Sequence, residues 1–273
     1  MNVLHRLLLS LAAGLACMVS VEAAESRSWE SSLVTLEVTL KEYDFFQPWT
    51  TPTRSIRKHG LVIGDREVLT TAQNLPTERL VRLQKGGRGK WYKAQVVWLD
   101  PHADLALVTS EDPTFWEGLK PAELAEVVPS VPDFNLVRWR DGNLESRRVE
   151  FSKFTVKDGT LSFAPRLTLE VNTELTGLGW AEPVALEGKV AGLTTSKLGS
   201  TCNVVPAPFI RRILEARRAG KYRGLGYFDF TWQPGENPTS LKFLKLDGTE
   251  RGAIVIKVPQ RPGVQSVLRP RDI

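Results

Sequence analysis

The sequence predicts an all-β protein made of many short strands, closed into barrels or packed as a sandwich, with one helix toward its C-terminus. Three observations lead there. Val34, Leu36, Val38 and Leu40 alternate with Thr35, Glu37 and Thr39, the period of two that marks a strand with one buried face. Short apolar segments then recur at fairly even spacing, divided by turn-forming pairs such as Gly64-Asp65, Gly86-Gly87, Asp141-Gly142, Asp158-Gly159 and Glu187-Gly188. The composition (42% hydrophobic, 25% charged and 8% aromatic in 273 residues) is globular and excludes wholesale disorder and coiled coil. That length suits one large domain or two ordinary ones.

Taken in order, residues 1–23 read as a secretory signal. Arg6 supplies the positive start, Leu7 to Val21 the apolar core, and Val21-Glu22-Ala23 the small residues of a cleavage site. Ser10 and Gly14 interrupt the apolar run, which is too short for a membrane span. Export to the periplasm or the exterior is therefore expected, with membrane contact only if the segment stays uncleaved. Cleavage removes Cys17 and leaves Cys202 alone, so neither an intramolecular disulfide nor a cysteine-rich zinc site is available. His59 and His102 are the remaining histidines; no metal and no cofactor is implied.

Strands are expected at Val34–Leu40, Leu61–Ile63, Val68–Thr71, Leu80–Leu83, Lys93–Leu99 and Leu105–Thr109. Others follow at Leu136–Trp139, Arg147–Thr155, Leu167–Val171 and Val190–Thr194. Pro206 to Ala219 reads as the helix, with Phe209, Ile210, Ile213 and Leu214 as its apolar face, Pro208 in its first turn and Gly220 as its stop. Arg223-Gly224-Leu225-Gly226-Tyr227 then opens a further β segment, and no internal repeat is visible. The net charge of +5 is spread over short clusters such as Arg54–Lys58, which read as solvated faces, so no nucleic-acid partner is expected.

Four stretches carry a resemblance. Lys58-His59-Gly60-Leu61-Val62-Ile63 is followed by Val68-Leu69-Thr70-Thr71-Ala72-Gln73-Asn74, a strand pair running into a short motif. Asp100-Pro101-His102-Ala103-Asp104-Leu105-Ala106 has the form Asp-x-x-x-Asp-Leu-Ala. Pro183 to Leu193 reads as a strand turn after a loop, and Gly224-Leu225-Gly226-Tyr227 as a Gly-Leu-Gly-Phe type loop. In order and spacing these resemble the HtrA/Deg family, secreted serine proteases whose trypsin-like double β-barrel is followed by a PDZ domain. The resemblance implies a double β-barrel over 24–205, a linker helix over 206–220 and the N-terminal part of a PDZ domain over 221–273. It also implies that the PDZ domain is incomplete, since the chain stops at Arg269-Pro270-Arg271-Asp272-Ile273.

Carried over residue by residue, the family's histidine falls on Gln73, its aspartate on Asp104 and its serine on Trp180. A primary amide does not titrate near neutrality and cannot cycle a proton, and an indole offers no nucleophile. Ala181 and Glu182 replace two glycines whose backbone freedom lets that loop present an oxyanion hole. The expectation is a pseudoprotease with no intact catalytic set, acting by binding a peptide or a protein. Two alternatives stay open: an active endopeptidase with a non-standard site, and a structural subunit pairing with active relatives.

His102 would share a face with Asp104 only in a strand; in an Asp-Pro turn it is a surface histidine. Asp104 is read either as a buried residue bonding backbone amides or as an exposed turn residue. Trp180 is read as a plug of the cleft or a stacking surface for a ligand, and Cys202 as a buried residue of the last barrel strand. The resemblance further implies that Arg223, Gly224, Leu225, Gly226 and Tyr227 hold the carboxylate of peptide or protein C-termini. Family members often trimerise through N-terminal aromatics, a role open to Trp29, Tyr43, Phe45, Phe46 and Trp49 in a homo- or hetero-oligomer.

Overall fold

Two closed six-stranded barrels follow one another along the chain, and both use the same strand order. The computed structural model describes residues 29–131, 133–159, 161–226, 230–246, 252–260 and 267–272. Residues 1–23, expected to be a signal, and Tyr227 lie outside the described residues.

The first barrel contains β1 (Leu33–Lys41), β2 (Thr53–Gly64), β3 (Glu67–Thr70), β4 (Glu78–Lys85), β5 (Trp91–Asp100) and β6 (Leu105–Thr109). Around the barrel they run β1-β2-β3-β6-β5-β4, and the β1–β4 ladder closes the ring. The second contains β7 (Asp133–Arg140), β8 (Asn143–Gly159), β9 (Ser162–Asn172), β10 (Pro183–Leu186), β11 (Lys189–Leu198) and β12 (Thr201–Pro206). Its order, β7-β8-β9-β12-β11-β10, repeats the first position for position, with β10–β7 as the closing ladder. The sequence carries no trace of this repeat. Closure constrains strand number, stagger and which positions face inward, and any apolar residue of suitable size satisfies that.

Each barrel fills its interior separately. Val34, Leu36, Val38, Val62, Val68, Leu83, Val108 and Phe115 form the first core. Phe134, Leu136, Val149, Leu169, Val171, Val184, Val204 and Cys202 belong to the second. Burying each Leu, Val or Phe contributes roughly 1.5–3 kcal/mol. Burial also pushes the Cys202 thiol up to about 12, the chemistry of an inert packing residue.

One expectation needs correcting. The alternation in β1 predicts a solvated face, yet every residue from Leu33 to Val38 is buried. The other barrel packs across the strand's start, where Leu33 and Leu61 share a cluster with Val137, Ala185 and Val190. Glu37, on that polar face, pairs with Arg82 of β4.

A four-residue helix, α1 (Pro113–Trp116), capped by Asp112, leads toward the second barrel. The expected C-terminal helix is α2 (Ala207–Arg218). Its Ile210, Ile213 and Leu214 pack against Leu69, Leu105 and Leu107 of the first barrel and Leu193 and Val205 of the second. Tyr222 and Leu225 join that cluster. The chain accordingly divides after Leu225, later than the expected boundary at 221. The second unit holds β13 (Thr231–Pro234) and β14 (Ala253–Lys257), paired antiparallel, and α3 (Pro238–Phe243), capped by Asn237. Arg271 and Asp272 bond the backbone of Val255.

Candidate functional site

Of the polar side chains singled out in the sequence, Gln73 and Asp104 come together at the seam between the barrels. Gln73 follows β3, where Lys58 of β2 fastens the chain: its ammonium donates to the carbonyls of Thr71 (2.6 Å) and Gln73 (2.9 Å). The Gln73 side chain reaches across the seam, and its amide donates to the Thr195 carbonyl of β11 at 2.5 Å. An amide in that position ties two strands together and moves no proton.

Asp104 is fully buried, with φ of 55°. It accepts from the Ala72 amide (3.0 Å), immediately before Gln73, and from Arg166 Nη2 of β9 (3.2 Å). Arg166 also donates to the Ala103 carbonyl at 2.9 Å, so β9 is stapled to the first barrel by both contacts. Burial raises the Asp104 pKa, against the pull of Arg166 and Lys58. Of the two readings open for Asp104, the buried one is correct. His102 lies in the preceding turn, exposed, because the Asp100 carboxylate holds the amides of His102 (2.8 Å) and Ala103 (3.0 Å). It shares no face with Asp104.

Trp180 is half-buried, so it does not form a core plug. Its carbonyl accepts from the His59 amide at 2.7 Å, and its own amide donates to Glu182 Oε2 at 2.9 Å. Gly179 donates to the same oxygen at 3.1 Å, and the Thr194 hydroxyl does so as well. Gly179 has φ of 101°, and a Cβ there would fall 2.8 Å from the Ser196 Cα, so only glycine lets the loop lie this close to β11. Ala181 takes φ of 65° and donates to the Thr194 carbonyl at 3.1 Å.

His59 completes the seam. The Trp139 amide donates to its Nε2 at 3.1 Å, while Glu182 Oε1 stands 3.9 Å from Nδ1. Nε2 also lies 3.2 Å from the Trp139 carbonyl, so the Trp139 backbone addresses the ring through this one nitrogen. Burial lowers the His59 pKa more than Glu182 raises it, so the ring is held neutral. Burial likewise lowers Lys58 to about 7, with Asp104 and Glu182 opposing.

Sequence reasoning missed Lys58, His59, Arg166, Thr194 and Glu182 as members of one network. Lys58 and His59 stood inside a quoted stretch, but Lys58 was read with the Arg54–Lys58 cluster as a solvated face; it is instead fully buried, because β2 turns inward from Lys58 onward. Arg166 left no signal, since its partner lies 62 positions away. At the other proposed site, Arg223, Gly224 and Gly226 are exposed and Leu225 packs on the α2 cluster. Gly224 has φ of 94° with open space where a Cβ would stand. Among the described residues no group of three His, Cys, Asp or Glu side chains is placed to hold a metal.

Paired six-stranded antiparallel barrels with a polar seam define the trypsin-like class of β-barrel protein, and the comparisons agree. The HtrA-type protease AlgW, solved with a decapeptide, superposes with a TM-score of 0.60 at 11% identity, over 86% of this chain and 79% of that one. The active form of the Rv3671c protease from M. tuberculosis does so with a TM-score of 0.56 at 18% identity, over 74% and 86%. In sequence, the chain is 27% identical over 239 residues to Protease Do-like 4, mitochondrial, of Arabidopsis thaliana, covering 83% of this chain and 45% of that one. It is 23% identical to the Serine protease DegP homolog of Plasmodium falciparum, over 85% and 27%. Its homologues are thus Do-like and DegP proteases and its structural neighbours HtrA-type proteases. No family model matches the chain. The chain spans about half the length, at most 54%, of the curated relatives it matches.

Proposed function

We propose that this HtrA-like chain acts by binding a peptide or protein and does not hydrolyse it. The observation that carries the reading is the Gln73 amide bonded to the Thr195 carbonyl, at the position where the resemblance places an imidazole. Trp180, at the position of the serine, supports it: its side chain has no hydroxyl and its amide is committed to Glu182. Losing the histidine or the serine of such a set lowers the rate of an efficient enzyme by about 10⁶, and losing both costs about as much as losing one.

In this reading the protein is exported, and the segment from Arg223 to Tyr227 receives the C-terminal carboxylate of an extended partner. The exposed aromatics Tyr43, Phe45, Phe46 and Trp49 are available for contacts with further copies or with active relatives. Trp29 is not, because it is buried in the core.

The test uses the chain from Ala24 with unfolded casein and a fluorophosphonate probe. The expected result is no cleavage and no labelling, with peptides ending in a free carboxylate binding more tightly than their amidated forms. The names of the relatives point to the competing reading, an active endopeptidase. Casein cleavage that co-purifies with the protein and disappears in Asp104→Ala would establish that reading and sink the proposal.

A further inference from the structure

We infer that the backbone amides of Gly179 and Trp180, with the Thr194 hydroxyl, form a carboxylate-binding site that the chain's own Glu182 occupies. Three donors converge on a single oxygen, Oε2, of a side chain that is 1% exposed. The two amide distances, 3.1 and 2.9 Å, are those of an amide pair aimed at an anionic oxygen. Charge-assisted bonds of this kind are about twice as strong as neutral ones.

A second observation points into the same place. His59 Nδ1 is buried without a hydrogen-bond partner among the described residues and lies 3.9 Å from the other Glu182 oxygen, Oε1. Both ends of the carboxylate are thus addressed, one by amides of its own loop and one by an imidazole of the opposite barrel. The backbone reinforces the fit: the Glu182 amide donates to Thr194 Oγ1 (2.9 Å), and the Thr194 amide donates to the Glu182 carbonyl (3.0 Å).

The consequence is competition. While Glu182 is seated, no incoming carbonyl oxygen or carboxylate reaches those amides. When Glu182 is cut back, the cavity takes a small monocarboxylate such as formate or acetate. This inference stands on the hydrogen bonds alone and holds whether or not the chain binds peptides.

The experiment is chemical rescue. Wild type and Glu182→Ala are melted in sodium chloride and in sodium formate or acetate at equal ionic strength. Glu182→Ala should melt lower than wild type, and formate or acetate should raise its melting temperature saturably, as a ligand of the folded state does, while leaving wild type unmoved. An equal effect of carboxylate on both proteins, or a variant that melts like wild type, overturns the inference. Should Glu182→Ala fail to fold, Glu182→Gln keeps the shape and removes the charge. The amide protons of Gly179 and Trp180 should then shift upfield together in NMR spectra, and unchanged shifts overturn the inference equally.

Discussion

Replacing Lys58 with Met removes a buried ammonium, and the pH dependence of stability should change shape. The ammonium is completely enclosed and donates to the Thr71 and Gln73 carbonyls at 2.6 and 2.9 Å. Burial lowers its pKa from 10.5 to about 7, with Asp104 and Glu182 pulling the other way. The folded state therefore holds this proton less tightly than the unfolded state. Below about pH 7 both states are protonated and Lys58 contributes no slope. Above it only the unfolded state keeps the proton, so stability rises with pH, by roughly 1.4 kcal/mol per pH unit. Between about pH 6 and pH 8.5 wild type should gain about 2 kcal/mol from this group. That window lies below the Cys202 thiol, whose raised pKa gives an opposite slope only from about pH 9, where the unfolded thiol ionises.

Lys58→Met should lack the gain. It also leaves two carbonyls without a donor, at about 1–3 kcal/mol each, so its absolute stability matters less than its slope. Urea titrations across the window, at matched m-value, measure the difference directly. Parallel curves for the two proteins would refute the reasoning, because they would mean that folding leaves the Lys58 proton unperturbed.

Three further outcomes can be checked by the same unfolding assay. Arg166→Met strands the buried Asp104 carboxylate and should cost about 3–5 kcal/mol, while the double variant with Asp104→Asn should cost less than the sum of the two single changes. Gly192→Ala places a Cβ 2.4 Å from the Val205 carbonyl oxygen and 2.6 Å from Val204 Cγ1, so β11 and β12 must part; a loss of at least about 1–3 kcal/mol is expected. Replacing Phe45 and Phe46 with Ser, both 94% exposed, should leave stability within about 0.5 kcal/mol, and a larger loss would show that the loop packs elsewhere.

Where the relatives carry the name protease, this chain places a polar seam whose bonds join one barrel to the other. Gln73 to Thr195, Asp104 to Arg166, and His59 to Trp139 and Trp180 all cross it. Lys58 and Arg166 set two buried positive charges beside Asp104 and Glu182. Partnered in this way, the buried carboxylates are tolerated, and removing any one member exposes the cost of the others.

Period-two alternation, turn pairs and the Pro-to-Gly bounds of the helix made the strands and α2 legible in the sequence by itself, because those signals are local. Asp104 could be located by its motif, and the amide and indole at Gln73 and Trp180 stated their chemistry before any geometry was known. What only the tertiary structure decided depends on residues far apart in the chain. The repeated barrel order is a property of pairing, which no composition records. β1 lost its solvated face because a second barrel covers it, and β10, four residues opening on a proline, was legible only through the resemblance carried by Pro183 to Leu193. The Arg166 staple and the Glu182 carboxylate in its own loop's amides exist only once closure brings β9, β11 and the first barrel together. Burial then turns ordinary charged side chains into the tightly coupled seam, since it is the loss of water that gives each of those contacts its weight.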